Sequence, residues 1–181
     1  SAMGVSSILC LTGDSVGVGD HPEAKPVFDL DCMSMLNMVR DMRDKEHFLS
    51  GRKITSPPRV FLGAAANPFG PPLDYRPLRL AKKVAAGAQF VQTQYCFDIE
   101  IFRNYMSVIR DMGIHEKVFM LVGVGPLASA KSAEWNRSNV PGVHIPDHII
   151  RRLAGADNQK DEGVNVCVDM TQQIKEIEGV H

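Results

Sequence analysis

No two of the four cysteines (Cys10, Cys32, Cys96 and Cys167) form a CxxC pair. Zinc ribbons and thioredoxin-like redox sites need closely spaced thiols, so both are excluded. No apolar run approaches the roughly 18 residues that a bilayer-spanning helix needs. The opening SAMGVSSILC has neither the basic flank nor the cleavage pattern of a secretory signal. An excess of one charge is also missing: 20 Lys+Arg stand against 21 Asp+Glu, a formal net charge of -1. Nucleic-acid coats and binders of anionic membranes usually carry a basic excess, so neither partner is expected. Together these absences suggest a soluble cytoplasmic domain. Among the six histidines one local pair occurs, His144 and His148 in HIPDH. Pro146 between them opposes the helical i, i+4 geometry a metal would want, and no metal is expected.

The 181 residues, 44% hydrophobic and 23% charged, suit one domain with a sizeable core. Cys10, in the run ILCL, and Cys96, beside Tyr95 and Phe97, read as buried, reduced, small hydrophobes. Residues 7–11 (SILCL) predict a buried strand closed by the turn Thr12-Gly13-Asp14. A helix follows over 29–43, with Leu30, Met33, Leu36 or Met38, Val39 and Met42 on one stripe and Asp29 or Asp31 as N-cap. Residues 59–66 (RVFLGAAA) predict a second strand, and 76–86 a helix stopped by Gly87. A third strand is expected over 89–95 (QFVQTQY). Asp98 then caps a helix whose stripe is Ile101, Phe102, Tyr105, Ile109 and Met112, stopped at Gly113. A fourth strand spans 118–122 and a fourth helix 128–137, with further helices over 147–153 and 161–178.

The strands read as continuous apolar runs, the pattern of parallel sheets covered by helices. Two α/β architectures remain: a doubly wound open sheet, or part of a (β/α)8 barrel. A whole barrel takes at least about 200 residues, so about four βα units make half of one. In both architectures ligands bind beyond the C-terminal ends of the strands. The polar groups in that position are Thr12, Gly13 and Asp14, then Asn67, Gln94 and residues 123–126.

The loop LTGDSVGVGDHPEAKPVFDLD carries Gly13, Gly17 and Gly19, which miss the GxGxxG dinucleotide spacing. Asp14 projects from a strand end as a ligand-binding carboxylate or as a turn-forming Asx residue. On the helix RPLRLAKK, Arg76, Arg79, Lys82 and Lys83 fall within an arc of about 120°. Such an arc is either a phosphate site or an ordinary solvated face. Leu78, Ala81, Val84 and Ala85 occupy the opposite arc. Gln94, an amide at a strand end, is either a ligand group or a buried structural amide.

The segments LCLTGD, GDHPEAKPVFDLD, GAAANP, KKVAAGAQFVQTQYCFD, GVGPLASAK and VPGVHIPD follow one another along nearly the whole chain. In this succession the chain resembles the methylenetetrahydrofolate reductase family. The resemblance implies a (β/α)8 barrel with FAD at its C-terminal face, and hydride transfer from reduced FAD to 5,10-methylenetetrahydrofolate, giving 5-methyltetrahydrofolate. Asp14 matches the aspartate between flavin and folate that positions the pterin. Thr12 and Gly13 match positions lining the flavin, although the family often has Arg at the first. Phe28 matches an aromatic residue beside the flavin, commonly Tyr, and Asp29 a backbone contact. Arg79, Lys82 and Lys83 match positions that hold the FAD ribose and diphosphate, and Gln94 the glutamine that contacts pterin or nicotinamide.

There are departures from the family pattern. Asn67, in the flavin-binding set, stands where many members carry Tyr, and Ser132 falls near a substrate-binding Gln. The family's general-acid Glu lies on the first barrel strand, and no strand is expected before residue 7. Residues 1–181 are therefore expected to be a single domain, the C-terminal portion of such a barrel, incomplete at both ends. Its open strand edges would favour an oligomer, and the chain alone is expected to be inactive. The donor is NADH, NADPH or a ferredoxin-type partner. Alternatives are a non-catalytic flavin- or folate-binding subunit completed by a partner chain, and the reductase half of a homocysteine methyltransferase fusion.

Overall fold

The expected runs fold as strands β1 (Ser7–Cys10), β2 (Phe61–Ala66), β3 (Phe90–Tyr95) and β4 (Phe119–Gly123) in a computed structural model that describes residues 3–140 and 142–181. Helices α1 (Cys32–Asp44), α2 (Tyr75–Ala86) and α3 (Ile99–Asp111) connect them. Three more, α4 (Ala130–Asn139), α5 (Asp147–Ala154) and α6 (Gln159–Lys175), follow β4. No helix among the described residues is long and apolar enough to cross a membrane.

Local chemistry sets the helix ends. Asp31, not Asp29, caps α1: its Oδ1 accepts the Ser34 N–H at 2.7 Å. The α1 stripe runs through Leu36 rather than Met38, and Cys32 joins it in the core. Asp98 caps α3 as expected, accepting from Ile101 N–H at 3.0 Å. Phe102, Tyr105 and Ile109 are buried with Met106, whereas Met112 lies past the last helical residue and is exposed. Ser129 and Ser132 form a reciprocal capping box, so α4 starts at Ala130. Asn158, accepting from the N–H groups of Lys160 and Asp161, starts α6 two residues earlier than expected.

All strand pairs are parallel, in the order β1-β2-β3-β4. A doubly wound sheet reverses its strand order at a switch point; this one does not. Its helices also lie on one face. Cys10, Leu62, Ala64, Val91 and Met120 face them, packed with Leu36 of α1, Leu80 of α2, Ile109 of α3 and Ile174 of α6. On the opposite face the register aligns Leu9, Gly63, Phe90 and Phe119. There Phe61 stacks on Phe90 at 5.3 Å, and a Cβ on Gly63 would lie 2.2 Å from the Phe90 ring. No helix among the described residues covers this face, and Phe119 and Leu121 are exposed. The expectation of helix-covered strands therefore holds for one face only. The fold is α/β, a four-stranded segment of the (β/α)8 type, in which the second face of each strand looks toward the barrel axis.

The described cysteines are free thiols, with Cys10, Cys32 and Cys96 buried. Folding brings Cys32 to Cys10, and its Sγ donates to the Cys10 carbonyl at 3.1 Å.

Candidate ligand cleft at the strand ends

The turn after β2 delivers the N-terminus of α2 above the strand ends, and α2 then runs back along the sheet with one arc toward them. Arg76, Arg79 and Lys83 on that arc line a cleft of about 390 Å³. Leu11, Ala65, Asn67, Gln92 and Gln94 are among the other residues that line it. Lys82, one residue and about 100° round the helix from Lys83, is exposed and stands outside the cleft. The arc opposite the cations is only half buried: Ala81 and Val84 pack against the core, while Leu78 and Ala85 are exposed. The core side of α2 is set by Pro77, Leu80 and Ala86.

No carboxylate lines the cleft among the described residues, and three cations do, a charge balance that suits an anion. The cations are held differently. Lys83 Nζ donates to the Ala65 carbonyl at 2.6 Å. Burial pushes the Lys83 ammonium below the usual lysine range; Cys32 works against that shift, while Arg79 and Arg76 add to it. Arg76 is anchored through Nε to the Gly70 carbonyl and through Nη2 to that of Pro71 at 2.7 Å. Arg79 is exposed and makes no hydrogen bond or ion pair among the described residues, so its guanidinium is free to meet a ligand.

Gln94 lines the cleft. Its Oε1 accepts the Tyr95 N–H at 3.2 Å, and its Nε2 has no partner among the described residues. Gln92 had not been singled out, yet it shares the cleft. The signal was the strand alternation itself, since residues i and i+2 face the same side. Thr93 between them is buried, accepting from Gly123 N–H at 3.0 Å and donating to the Gln94 carbonyl at 2.8 Å. Asn67 is in the cleft wall, but both ends of its amide are used. Nδ2 donates to the Gly142 carbonyl at 3.0 Å and Oδ1 accepts the Phe69 N–H at 3.0 Å. The Ser132 hydroxyl is likewise spent on the α4 capping box.

Leu11 lines the cleft, but Thr12, Gly13, Asp14, Phe28 and Asp29 of the β1–α1 loop do not. Thr12 Oγ1 accepts the Cys32 N–H at 3.1 Å, and Gly13 turns the chain with a φ of 86°. Asp14, Phe28 and Asp29 are exposed, Phe28 by 77%. Beyond β3, His144 Nε2 meets Asp98 Oδ2 at 3.2 Å. This contact and the Asn67–Gly142 bond tie the loop before α5 to the ends of β2 and β3.

A family model described as methylenetetrahydrofolate reductase matches residues 1–181. A probable methylenetetrahydrofolate reductase (NADPH) of Caenorhabditis elegans is 27% identical over 96% of this chain and 24% of its own length. Methylenetetrahydrofolate reductase 2 of Schizosaccharomyces pombe is 29% identical over 94% of this chain and 27% of its own length. The 5,10-methylenetetrahydrofolate reductase of Escherichia coli is 28% identical over 57% of this chain and 35% of its length. The chain thus spans well under half the length of these relatives. Among solved structures, an uncharacterized protein from Clostridium thermocellum that binds two copies of 5-methyl-5,6,7,8-tetrahydrofolic acid has the same fold, with a TM-score of 0.53. That match has 16% identity and covers 79% of this chain and 56% of that one. On the match over its whole length, the chain belongs to the methylenetetrahydrofolate reductase family.

Proposed function

We propose that this chain carries part of the ligand face of a reductase that passes hydride from reduced FAD to 5,10-methylenetetrahydrofolate, yielding 5-methyltetrahydrofolate. The observation that carries the reading is the cleft at the strand ends, where Arg76, Arg79 and Lys83 converge with no opposing carboxylate among the described residues, in a chain of this family. These donors fit the diphosphate of FAD, whose reduced form would supply the hydride. Lys83, tethered to Ala65, provides a fixed positive charge, and exposed Arg79 adds a planar fork suited to phosphate oxygens. Gln94 offers its Nε2 to a heteroatom of the substrate ring. Asp14, exposed on the β1–α1 loop, is assigned to the pterin, with Thr12, Gly13, Phe28 and Asp29 beside the flavin. Reduction of the methylene bridge also needs a proton at N10 to open the five-membered ring. General-acid help of this kind is worth about 10²–10⁴-fold. No cleft side chain among the described residues is a carboxylic acid, so the donor is assigned to a group outside the cleft.

The folate half is supported by the Clostridium thermocellum protein of the same fold that binds 5-methyltetrahydrofolic acid. A nicotinamide donor is supported by the NADPH in the name of the Caenorhabditis elegans relative. The test is anaerobic reduction of FAD-loaded protein by NADH, NADPH or a reduced ferredoxin, followed by 5,10-methylenetetrahydrofolate. Bleaching of the flavin by one donor and its return with the folate are expected. A protein that retains no FAD and binds no folate would overturn the reading.

A further inference from the structure

Tyr95 ends β3 immediately after Gln94, and its side chain remains about half exposed. A tyrosine gains most from its ring when the ring is covered, so an uncovered ring held in one place has a surface to offer. Several features hold it. The β3–β4 register shifts between Gln92 and Tyr95, which brings Tyr95 level with Gly123. Its ring then lies along the β4 exit, where two glycines make room for it. A Cβ on Gly123 would stand 3.0 Å from Tyr95 Cδ1, and one on Gly125 would stand 2.9 Å from Cε2 and 3.1 Å from Cζ. Any side chain at 125 would lift the ring. Phe97 props its edge, with ring centroids 6.2 Å apart and planes at 90°. The Tyr95 N–H binds Gln94 Oε1, so the same residue orients the neighbouring amide and leaves its Nε2 donors unpartnered among the described residues.

We propose that Tyr95 is a stacking platform for the planar ring system of a folate, with Gln94 Nε2 donating to a heteroatom at the ring's edge. This rests on the folate reading above. The ring packs along Gly123 and Gly125 and stays about half exposed, a surface that a flat ligand ring would cover. A folate suits this position better than the flavin does. Tyr95 lies outside the cation-lined cleft, on the β4 side of Gln94, whereas a dinucleotide is anchored by its phosphates on the α2 side. The glycine at 125 sets the height of the platform, and is thus a positioning residue for it.

The experiment is calorimetric titration of the protein with 5-methyltetrahydrofolate and, separately, with FAD. It uses the wild type, Tyr95→Phe, Tyr95→Ala, Gly125→Ala and the Tyr95→Ala/Gly125→Ala double variant, each checked for folding by circular dichroism. Tyr95→Phe keeps the ring and is expected within about twofold of wild type for folate. Tyr95→Ala and Gly125→Ala are each expected to weaken folate binding about tenfold, and the double variant no further than Tyr95→Ala, with FAD affinity unchanged. Should Tyr95→Ala fail to fold, Gly125→Ala, which retains the ring, decides. Wild-type folate affinity in folded Tyr95→Ala, or a loss confined to FAD, overturns the platform while the folate reading stands. A wild-type protein that binds FAD but no 5-methyltetrahydrofolate overturns both.

Discussion

Lys83 is a half-buried ammonium bound to a backbone carbonyl, and burial lowers its proton affinity below that of an ordinary lysine. The unfolded chain therefore holds this proton more tightly than the folded one. The resulting cost to stability is fully present below the lowered folded pKa, shrinks as pH rises, and vanishes above the usual lysine value. Binding of an anion runs the other way, because it needs the charge. FAD affinity is expected to start falling with pH below the ordinary lysine range, and Lys83→Arg, which stays charged, is expected to flatten that fall. Flavin titrations across alkaline pH check this, and identical profiles for the two proteins would contradict it. Asp14 makes a separate prediction. Its replacement by Asn is expected to slow folate reduction more than flavin reduction by the electron donor, since only the first needs the pterin held. Removing its negative charge is also expected to raise the flavin potential. Rapid-mixing measurements of the two half-reactions separate this from general damage, which would slow both alike.

At the scale of elements, Asp98 has two tasks: it caps α3 through Ile101 N–H and meets His144 of the loop before α5. Asp98→Ala removes both and is expected to cost about 1–2 kcal/mol, lowering the melting temperature by roughly 2–8 °C for a domain of this size. Asp98→Asn keeps a capping oxygen and is expected to recover most of that loss in a thermal melt. Equal losses in the two variants would locate the stabilisation in the His144 contact instead. Such caps were legible in the sequence because they are local: Asp98 before an apolar stripe and Gly87 after one mark helix ends without reference to the rest of the chain. The use of Asn67 was not legible, because its amide partner, the Gly142 carbonyl, lies 75 residues away. Gln92 was missed although Gln94 was found, since a strand's inward face becomes certain only once its neighbours are placed. The basic arc of α2 was visible, but its direction was not. Periodicity set Leu78, Ala81, Val84 and Ala85 opposite the cations, and of these only Ala81 and Val84 pack against the core, while Leu78 and Ala85 are exposed.

For the molecule as a whole, the deciding features are the unreversed strand order and the single helix-covered face. They leave Phe61, Phe90 and Phe119 in one aromatic group on an uncovered sheet face. A flat apolar surface of this kind, next to an outer β1 edge with no strand paired to it among the described residues, is expected to drive self-association. Light scattering is expected to show concentration-dependent assembly, and a strictly monomeric chain at high concentration would contradict it. The parallel order itself was readable from apolar runs alternating with helical stripes. Periodicity alone did not choose between open sheet and barrel segment, because strand order and the side on which helices pack are properties of the assembled chain; the family resemblance chose the barrel segment, and the fold agrees with it. The central claim is that the cations of α2 hold the diphosphate of a flavin dinucleotide at the strand ends. Its most direct test is titration of wild type, Arg79→Ala and Lys83→Ala with FAD and with riboflavin, which has the same ring and no phosphate. Loss of a charge-assisted hydrogen bond of about 1.5–3 kcal/mol should weaken FAD about tenfold or more in each variant and leave riboflavin unchanged. FAD affinity equal to wild type in both variants, or equal losses for FAD and riboflavin, would contradict it.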